Sequence, residues 1–271
     1  MTTLKPGIYI VPTPIGNLDD ITLRALKVLE NSDEIFCEDT RVSQKLLTHF
    51  SIKKRLYIYN DHSTEKDRNI IIDKAREKVI SLISDAGMPL ISDPGYKLVR
   101  RAHGEKIYIT ALPGACALIN AVVLSSFPTD TFSFLGFFSE KRALEYKHLP
   151  HTLIFYLSPH QLKKTLDWVN MHLGNRQVAL CKEISKLHET IVVSKSDTIY
   201  EALLKQSLPK GEFVLVLSPS QQEELTDANI SQHLMTMLEN KNSKDAIQAV
   251  AKELNIPKKR VYEIYLNHKN I

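Results

Sequence analysis

Residues 83–95, ISDAGMPLISDPG, hold the densest set of groups able to do chemistry in this 271-residue chain. Gly87, Pro89, Pro94 and Gly95 are interleaved there with Asp85 and Asp93. The backbone must bend twice and stay stiff between the bends. A loop of this kind presents main-chain groups, a glycine lets a ligand approach the backbone closely, and carboxylates accept hydrogen bonds from hydroxyl, amine or amide donors. Asp85 and Asp93 are equally suited to capping neighbouring N–H groups. Other polar clusters are Glu38-Asp39-Thr40-Arg41 and Asn60-Asp61-His62-Ser63.

What is missing narrows the ligand. All nine glycines are isolated, so neither GxGxxG nor GxxxxGK[ST] occurs, and GxSxG and HExxH are absent too. Nicotinamide, P-loop, serine-hydrolase and zinc-protease chemistries are therefore disfavoured, and a ligand without phosphates fits. Cys37, Cys116 and Cys181 stand far apart beside apolar neighbours, without CxxC or Cys/His spacing. They read as reduced core thiols, and no metal is expected.

The elements that must position these groups alternate. Strands are expected over 8–11, 35–37, 56–59, 79–83 and 107–110, with helices over about 19–29, 42–50, 64–78 and 114–126. Nearly every polar cluster follows a strand, and in an open parallel sheet such carboxyl-end loops bind ligands. After Pro128 the texture changes. Strands are expected over 131–138, 152–157, 178–184, 190–193 and 213–217, with helices over 159–173 and 197–205, a mixed half with antiparallel pairing. PSQQEELT, 219–226, reads as a linker before three helices over 227–239, 244–254 and 258–268. In the middle one Ile247, Val250, Ala251 and Leu254 share a face. The expected domains are thus 1–128, 129–220 and 227–271.

Composition is that of a soluble globular protein, 43% hydrophobic and 24% charged, with no apolar run of membrane length and no signal-peptide pattern at its start, and the alternation of elements makes the expected class α/β. A cytoplasmic location is expected. The net charge of +4 lies wholly in residues 241–271, with seven basic and three acidic side chains; the preceding 240 residues carry 28 of each sign. A basic end on a neutral body suggests a polyanionic partner, although a short basic helix is also an ordinary solvated surface.

YIVPTPIGNLDDITLRAL, CEDTR, SDAGMPLISDPGYKLVR, LPGACALINA, TLIFY and KEISKLHET together resemble the ribosomal RNA small subunit methyltransferase I family of the tetrapyrrole methylase superfamily. The likeness runs in register over about 8–217 and extends more weakly to DAIQAVAKELNIPKKRVYEIYL. Met88, Ala115-Cys116, Lys182 and Ile184 depart from the usual pattern. The resemblance implies a two-domain class III methyltransferase fold with a small helical C-terminal module. It also implies a cytoplasmic homodimer that uses S-adenosylmethionine to methylate the ribose 2′-hydroxyl of a P-site cytidine in the 16S rRNA of the assembled small subunit. Its cofactor contacts, transferred to matching positions, are Pro12, Thr13 and Pro14; Gly87, Met88, Pro89 and Ile91; Cys116 and Ala117; and Leu157 and Leu217. Ile91, Leu157 and Leu217 also suit a plain core.

A ribose hydroxyl is a poor nucleophile, so a base or a cation facing a developing alkoxide should help. Asp39, Arg41, His62, Asp85, Glu183 and Lys186 are the candidates. Each has a structural alternative: Asp39 as a helix cap, Arg41 as partner of Glu38 or a phosphate, His62 as a structural histidine, and Glu183 with Lys186 as an exposed ion pair. A small-molecule methyltransferase on the same scaffold and a non-catalytic RNA-binding factor are the competing functions. The first lacks support because Gly87-Met88-Pro89 replaces the GDP signature of those relatives.

Overall fold

The computed structural model describes residues 4–174, 176–207, 209–220, 227–239, 241–254 and 256–269. One compact unit spans Met1–Lys147 and His151–Pro219; a second comprises His148–Pro150 and Ser220–Ile271. The linker expected at 219–226 falls mostly outside the described residues.

The first unit begins with a parallel sheet. Its strands are β1 (Gly7–Ile10), β2 (Glu34–Cys37), β3 (Leu56–Ile58), β4 (Val79–Leu82) and β5 (Ile109–Ala111), in the order β3-β2-β4-β1-β5. Alternation along β1 sends Ile8 and Ile10 to one face and Tyr9 and Val11 to the other, and both faces are covered. Helices α1 (Leu23–Asn31) and α2 (Thr40–His49) pack on the second through Ala25, Val28, Leu29 and Leu47. Helices α3 (Glu65–Ala75) and α4 (Tyr96–Gly104) pack on the first through Ile71, Ile72, Leu98 and Ala102. The chain leaves β1 and β4 toward opposite faces, so their carboxyl ends flank the switch point at which open α/β sheets bind ligands.

Local chemistry sets the helix starts. Thr22 accepts the Ala25 N–H at 3.0 Å, Asp39 accepts that of Arg41 at 2.8 Å, and Thr64 with Asp67 makes a capping box. α4 departs from the sequence expectation, which placed no helix between 95 and 107. It starts at Gly95 with φ 141° and no side-chain cap, directly behind a proline, so no start signal precedes it. A Cβ at Gly95 would lie 2.7 Å from Leu90 Cδ1.

α5 (Ala117–Leu124) leads to the second half, whose sheet runs β6-β7-β10-β8-β9. Its strands are β6 (Phe132–Phe137), β7 (Thr152–Leu157), β8 (Gln177–Lys182), β9 (Thr190–Lys195) and β10 (Phe213–Leu217); β6 and β7 are parallel and the other pairs antiparallel. The short α6 (Glu140–Glu145), also without a sequence expectation, joins β6 to β7. Helices α7 (Leu162–Leu173) and α8 (Ile199–Gln206) cover one face, where Phe155 is fully buried. The other face, with Ile154, Ala179 and Val216, packs on Leu118, Ala121 and Val122 of α5 and on Ile15. α5 therefore packs on the second sheet, and Ile15 from the loop after β1 joins it there.

The second unit contains α9 (Asp227–Leu238), α10 (Ser243–Glu253) and α11 (Lys258–Lys269), closed around Ile230, Leu234, Ile247, Val250 and Val261. Ala251 and Leu254 lie at the margin of that core. Among the described residues no helix is long and apolar enough to cross a membrane.

Candidate active site

A cavity of about 390 Å³ opens where the carboxyl-end loops of the first sheet face the second. Ala86, Gly87, Met88, Ile91, Ser92 and Asp93 of the central loop form one wall, with Ile15 and Ala117 beside them. Opposite stand Phe137, Tyr156, Leu157, Cys181, Ile184 and the run Glu212-Phe213-Val214. The size is within the usual range for a small-molecule site, and the lining is apolar with few polar groups.

The central loop is held by its own polar atoms. Thr13 and Gly87 exchange both backbone hydrogen bonds, at 2.9 and 3.0 Å, and the buried Thr13 hydroxyl donates to the Ser84 carbonyl. Ser84 Oγ in turn donates to the Gly87 carbonyl at 3.0 Å. Gly87 (φ 82°) therefore offers the cavity an uncluttered Cα, because its N–H and C=O are already engaged. Leu90 (φ 73°) and Ser92 (φ 65°) are left-handed without being glycine, as are Glu183 (φ 50°) and Ser185 (φ 66°) on the facing loop. Strain of this kind concentrates where surrounding structure fixes a functional shape.

Of the expected cofactor contacts, Gly87, Met88, Ile91, Ala117 and Leu157 line the cavity. Pro12, Thr13, Pro14, Pro89, Cys116 and Leu217 do not. Thr13 is consumed in pinning the loop, and Pro12 packs where a Cβ on Gly114 would come within 2.6 Å of it. Leu217 lies away from the cavity for a simple reason. β10 runs antiparallel to β7 with Phe213 opposite Leu157 and Leu217 opposite Leu153, so only its first residues reach the cavity, and Leu217 is buried in the core under α7 and α8. The wall comes from Phe213 and Val214 instead.

None of the six candidate catalytic side chains lines the cavity. Asp39 caps α2 and grips Arg41 through Nε at 3.0 and 3.1 Å and Nη2 at 2.5 Å, while 87% of the Arg41 side chain stays exposed. The Arg41 hydrogen bonds hold the Asp39 carboxyl down at about 2, so it is a poor base. Asp85 accepts the Asp39 N–H at 3.1 Å, which joins the loops after β2 and β4, and burial raises its carboxyl above the usual range. His62 is exposed, its N–H donating to Asn60.

On the facing loop Lys186 pairs with Glu183 and with Glu212, each at 3.0 Å, and Glu183 also accepts the Glu212 N–H at 2.8 Å. Burial pushes the Glu183 carboxyl up, but the Glu212 amide and Lys186 outweigh it and leave it lowered. Lys186, conversely, is raised despite its own burial. Both stay charged; the lysine stem packs on Gly16, where a Cβ would meet its Cγ at 2.2 Å, and Ser185 hydrogen-bonds Asp20. The second half is thereby latched to the turn after β1, and Glu212 brings this ionic group to the rim.

Asp93, which the sequence suits equally to binding and to capping, was not among the candidate site residues, yet it lines the cavity. Its half-buried carboxyl faces the cavity; burial is the main cause that raises it to about 6, against a lowering Ser84 hydrogen bond, and Glu38, Asp85 and Asp61 add repulsion. Tyr156 was also missed. Its hydroxyl meets the Leu118 N–H at the start of α5, and burial raises its pKa well above the ordinary value. Both were hidden among residues with an everyday role, a Pro-preceding aspartate and a strand tyrosine.

Residues 7–200 match the family model described as tetrapyrrole (corrin/porphyrin) methylases. Solved structures agree at the level of fold. Uroporphyrin-III-C-methyltransferase from Thermus thermophilus aligns with a TM-score of 0.55 at 18% identity, over 79% of this chain and 94% of that one. A diphthine synthase aligns with a TM-score of 0.60 at 12% identity, over 78% and 89%. The protein is thus of the tetrapyrrole-methylase class, with the class III methyltransferase fold and an added helical module.

Proteins named ribosomal RNA small subunit methyltransferase I are far more similar in sequence. That of Rickettsia prowazekii is 43% identical over 96% of this chain and 96% of its own length, and that of Halalkalibacterium halodurans 40% over 96% and 95%. The chain belongs to the ribosomal RNA small subunit methyltransferase I family.

Proposed function

We propose that this protein methylates the ribose 2′-hydroxyl of a P-site cytidine in 16S rRNA of the assembled small ribosomal subunit, using S-adenosylmethionine. A homodimeric, cytoplasmic enzyme without a metal completes the reading. The observation that carries it is the 390 Å³ cavity walled by the strained central loop on one side and the start of β10 on the other. It suits a ligand that lacks phosphates: among the described residues no lysine, arginine or histidine lines it, and its one central-loop carboxyl, Asp93, can face a cation.

Bound there, S-adenosylmethionine would supply a methyl group activated by positive sulfur. Gly87, Met88, Ile91 and Ala117 would hold it from one side, with Leu157 and Phe213 from the other, all of them apolar surfaces that exclude water. Thr13 supports the central loop through its bonds to Gly87 and Ser84, Pro12 packs against Gly114, and Cys116 packs with Ile15 and Ile91. The chain's main contribution is then positioning of the acceptor oxygen in line with the methyl group. Asp85, raised by burial, and Asp93 are the carboxyls suited to accept the hydroxyl proton, and Lys186 stands as the fixed cation near the rim. Asp39 locks Arg41 in reach of an RNA phosphate, while His62 remains an outer contact. The basic side chains Lys258 and Lys259 in α11 suit further phosphate contacts.

The test is ribose-methylation mapping of 16S rRNA from cells with and without the gene, joined to calorimetry of the purified protein with S-adenosylmethionine. Loss of one cytidine 2′-O-methyl mark and one cofactor site per chain are expected. An unchanged methylation map would refute the substrate, and absence of binding would refute the cavity assignment.

A further inference from the structure

A second concavity, of about 520 Å³, lies between α3 and α4 on the same unit. Its lining is basic: Arg68 from α3 and Lys97, Arg100 and Arg101 from α4, against Glu65 and Glu105. Glu105 is already shared by Arg76 at 3.0 Å and Arg101 at 3.1 Å, and Arg68 donates to the Ser63 carbonyl at 2.8 Å. Lys97 and Arg100 are exposed, and among the described residues neither has a carboxylate within 4 Å. Tyr96, 66% exposed, stands at the head of the same groove and offers a ring face.

The placement matters as much as the charge. α4 begins three residues after Asp93, so the groove starts where the loop lining the cavity ends. At about 1.5 Å per residue the helix is about 13 Å long. That matches about four steps of a stacked strand at roughly 3.4 Å each. The side chains of Lys97, Arg100 and Arg101 follow one face at helical spacing, and Gly104 leaves the end of that face open.

We propose that the α3–α4 groove holds a single-stranded RNA segment flanking the methylated nucleotide, with Lys97 and Arg100 on successive phosphates and Tyr96 stacked on a base. The proposal rests on the RNA substrate named above and adds where that RNA lies. Two unpaired cations and an exposed aromatic ring are the elements of a single-strand platform, in which charge tracks the backbone and stacking is indifferent to sequence. A free phosphate would use the cations alone, whereas a strand also needs the tyrosine.

The test uses full-length protein with Lys97→Ala/Arg100→Ala, and separately Tyr96→Ala, in methyl transfer to small subunits across a salt series. Loss of two phosphate contacts should lower the log–log salt slope by about 1.4 and raise the half-saturating subunit concentration severalfold. Turnover at saturation and cofactor affinity by calorimetry should hold. The tyrosine variant should weaken binding with an unchanged slope. Binding of a fluorescent 16S fragment, measured without cofactor, reads the groove even if the methylation assignment is wrong, and the same slope change is expected there. Unchanged slope and affinity in both assays would overturn the proposal. So would a variant whose mass in solution changes while its salt slope does not, since the groove would then be a contact between copies of the chain.

Discussion

Replacing Asp93 by asparagine tests the carboxyl on which the cavity's electrostatics turn. In the native protein burial raises it from 3.8 to about 6, so between about pH 4 and 6 the folded state holds a proton that the unfolded chain has lost. A raised carboxyl contributes stability that is complete below about pH 4 and disappears as pH climbs through 6. At about 1.4 kcal/mol per tenfold the full shift is worth about 3 kcal/mol. Asp93 is only half-buried, and solvent screening reduces this to about 1–2 kcal/mol. Urea unfolding of both proteins from pH 4 to 7.5 reads the difference directly. The wild type should lose about 1–2 kcal/mol more than Asp93→Asn across that range, because asparagine does not titrate. Glu38, Asp61 and Asp85 remain in both proteins and cancel to first order. A bound sulfonium would favour the ionised form, so affinity for S-adenosylmethionine should rise with pH through about 6 in the wild type and stay flat in the variant. Parallel stability curves, together with identical affinity profiles, would show that Asp93 neither titrates in this window nor faces the cofactor.

Gly87→Val should abolish cofactor binding in calorimetry while far-ultraviolet circular dichroism stays native, since φ is 82° and the new Cβ would lie 3.0 Å from Ile15 Cγ2 at the cavity wall. Unchanged affinity would remove Gly87 from the site. Lys186→Ala should cut methyl transfer to small subunits by at least tenfold and leave cofactor affinity within about twofold, because the lysine touches the rim and not the cavity. Full transfer rates would make it a latch only. Phe155→Ala should cost about 3–5 kcal/mol in denaturant unfolding, as a fully buried ring under α7 leaves a void; a cost below 1 kcal/mol would mean that this core collapses freely.

The residues expected to be ligand loops were legible because backbone chemistry leaves marks in sequence. Gly87, Pro89, Pro94 and Gly95 announce a bent, stiff loop whatever surrounds it, and alternating apolar runs separate a parallel half from a mixed one. The same local logic failed for α4, whose start at Gly95 carries no capping side chain, and with it the Lys97 and Arg100 surface went unread. Thr13 shows another limit. Its neighbours mark a turn, but only the folded chain reveals that Gly87 and Ser84 take its polar atoms.

The facing wall lay beyond any local signal. Phe137, Tyr156, Cys181, Phe213 and Val214 are ordinary strand residues, and strand periodicity tells which side of a sheet each occupies but not what stands opposite. Apolar pattern thus determined that 213–217 is a buried strand. Antiparallel register against β7 decided that Phe213 meets the cavity and Leu217 the core, because pairing direction is set by contacts between residues more than fifty positions apart.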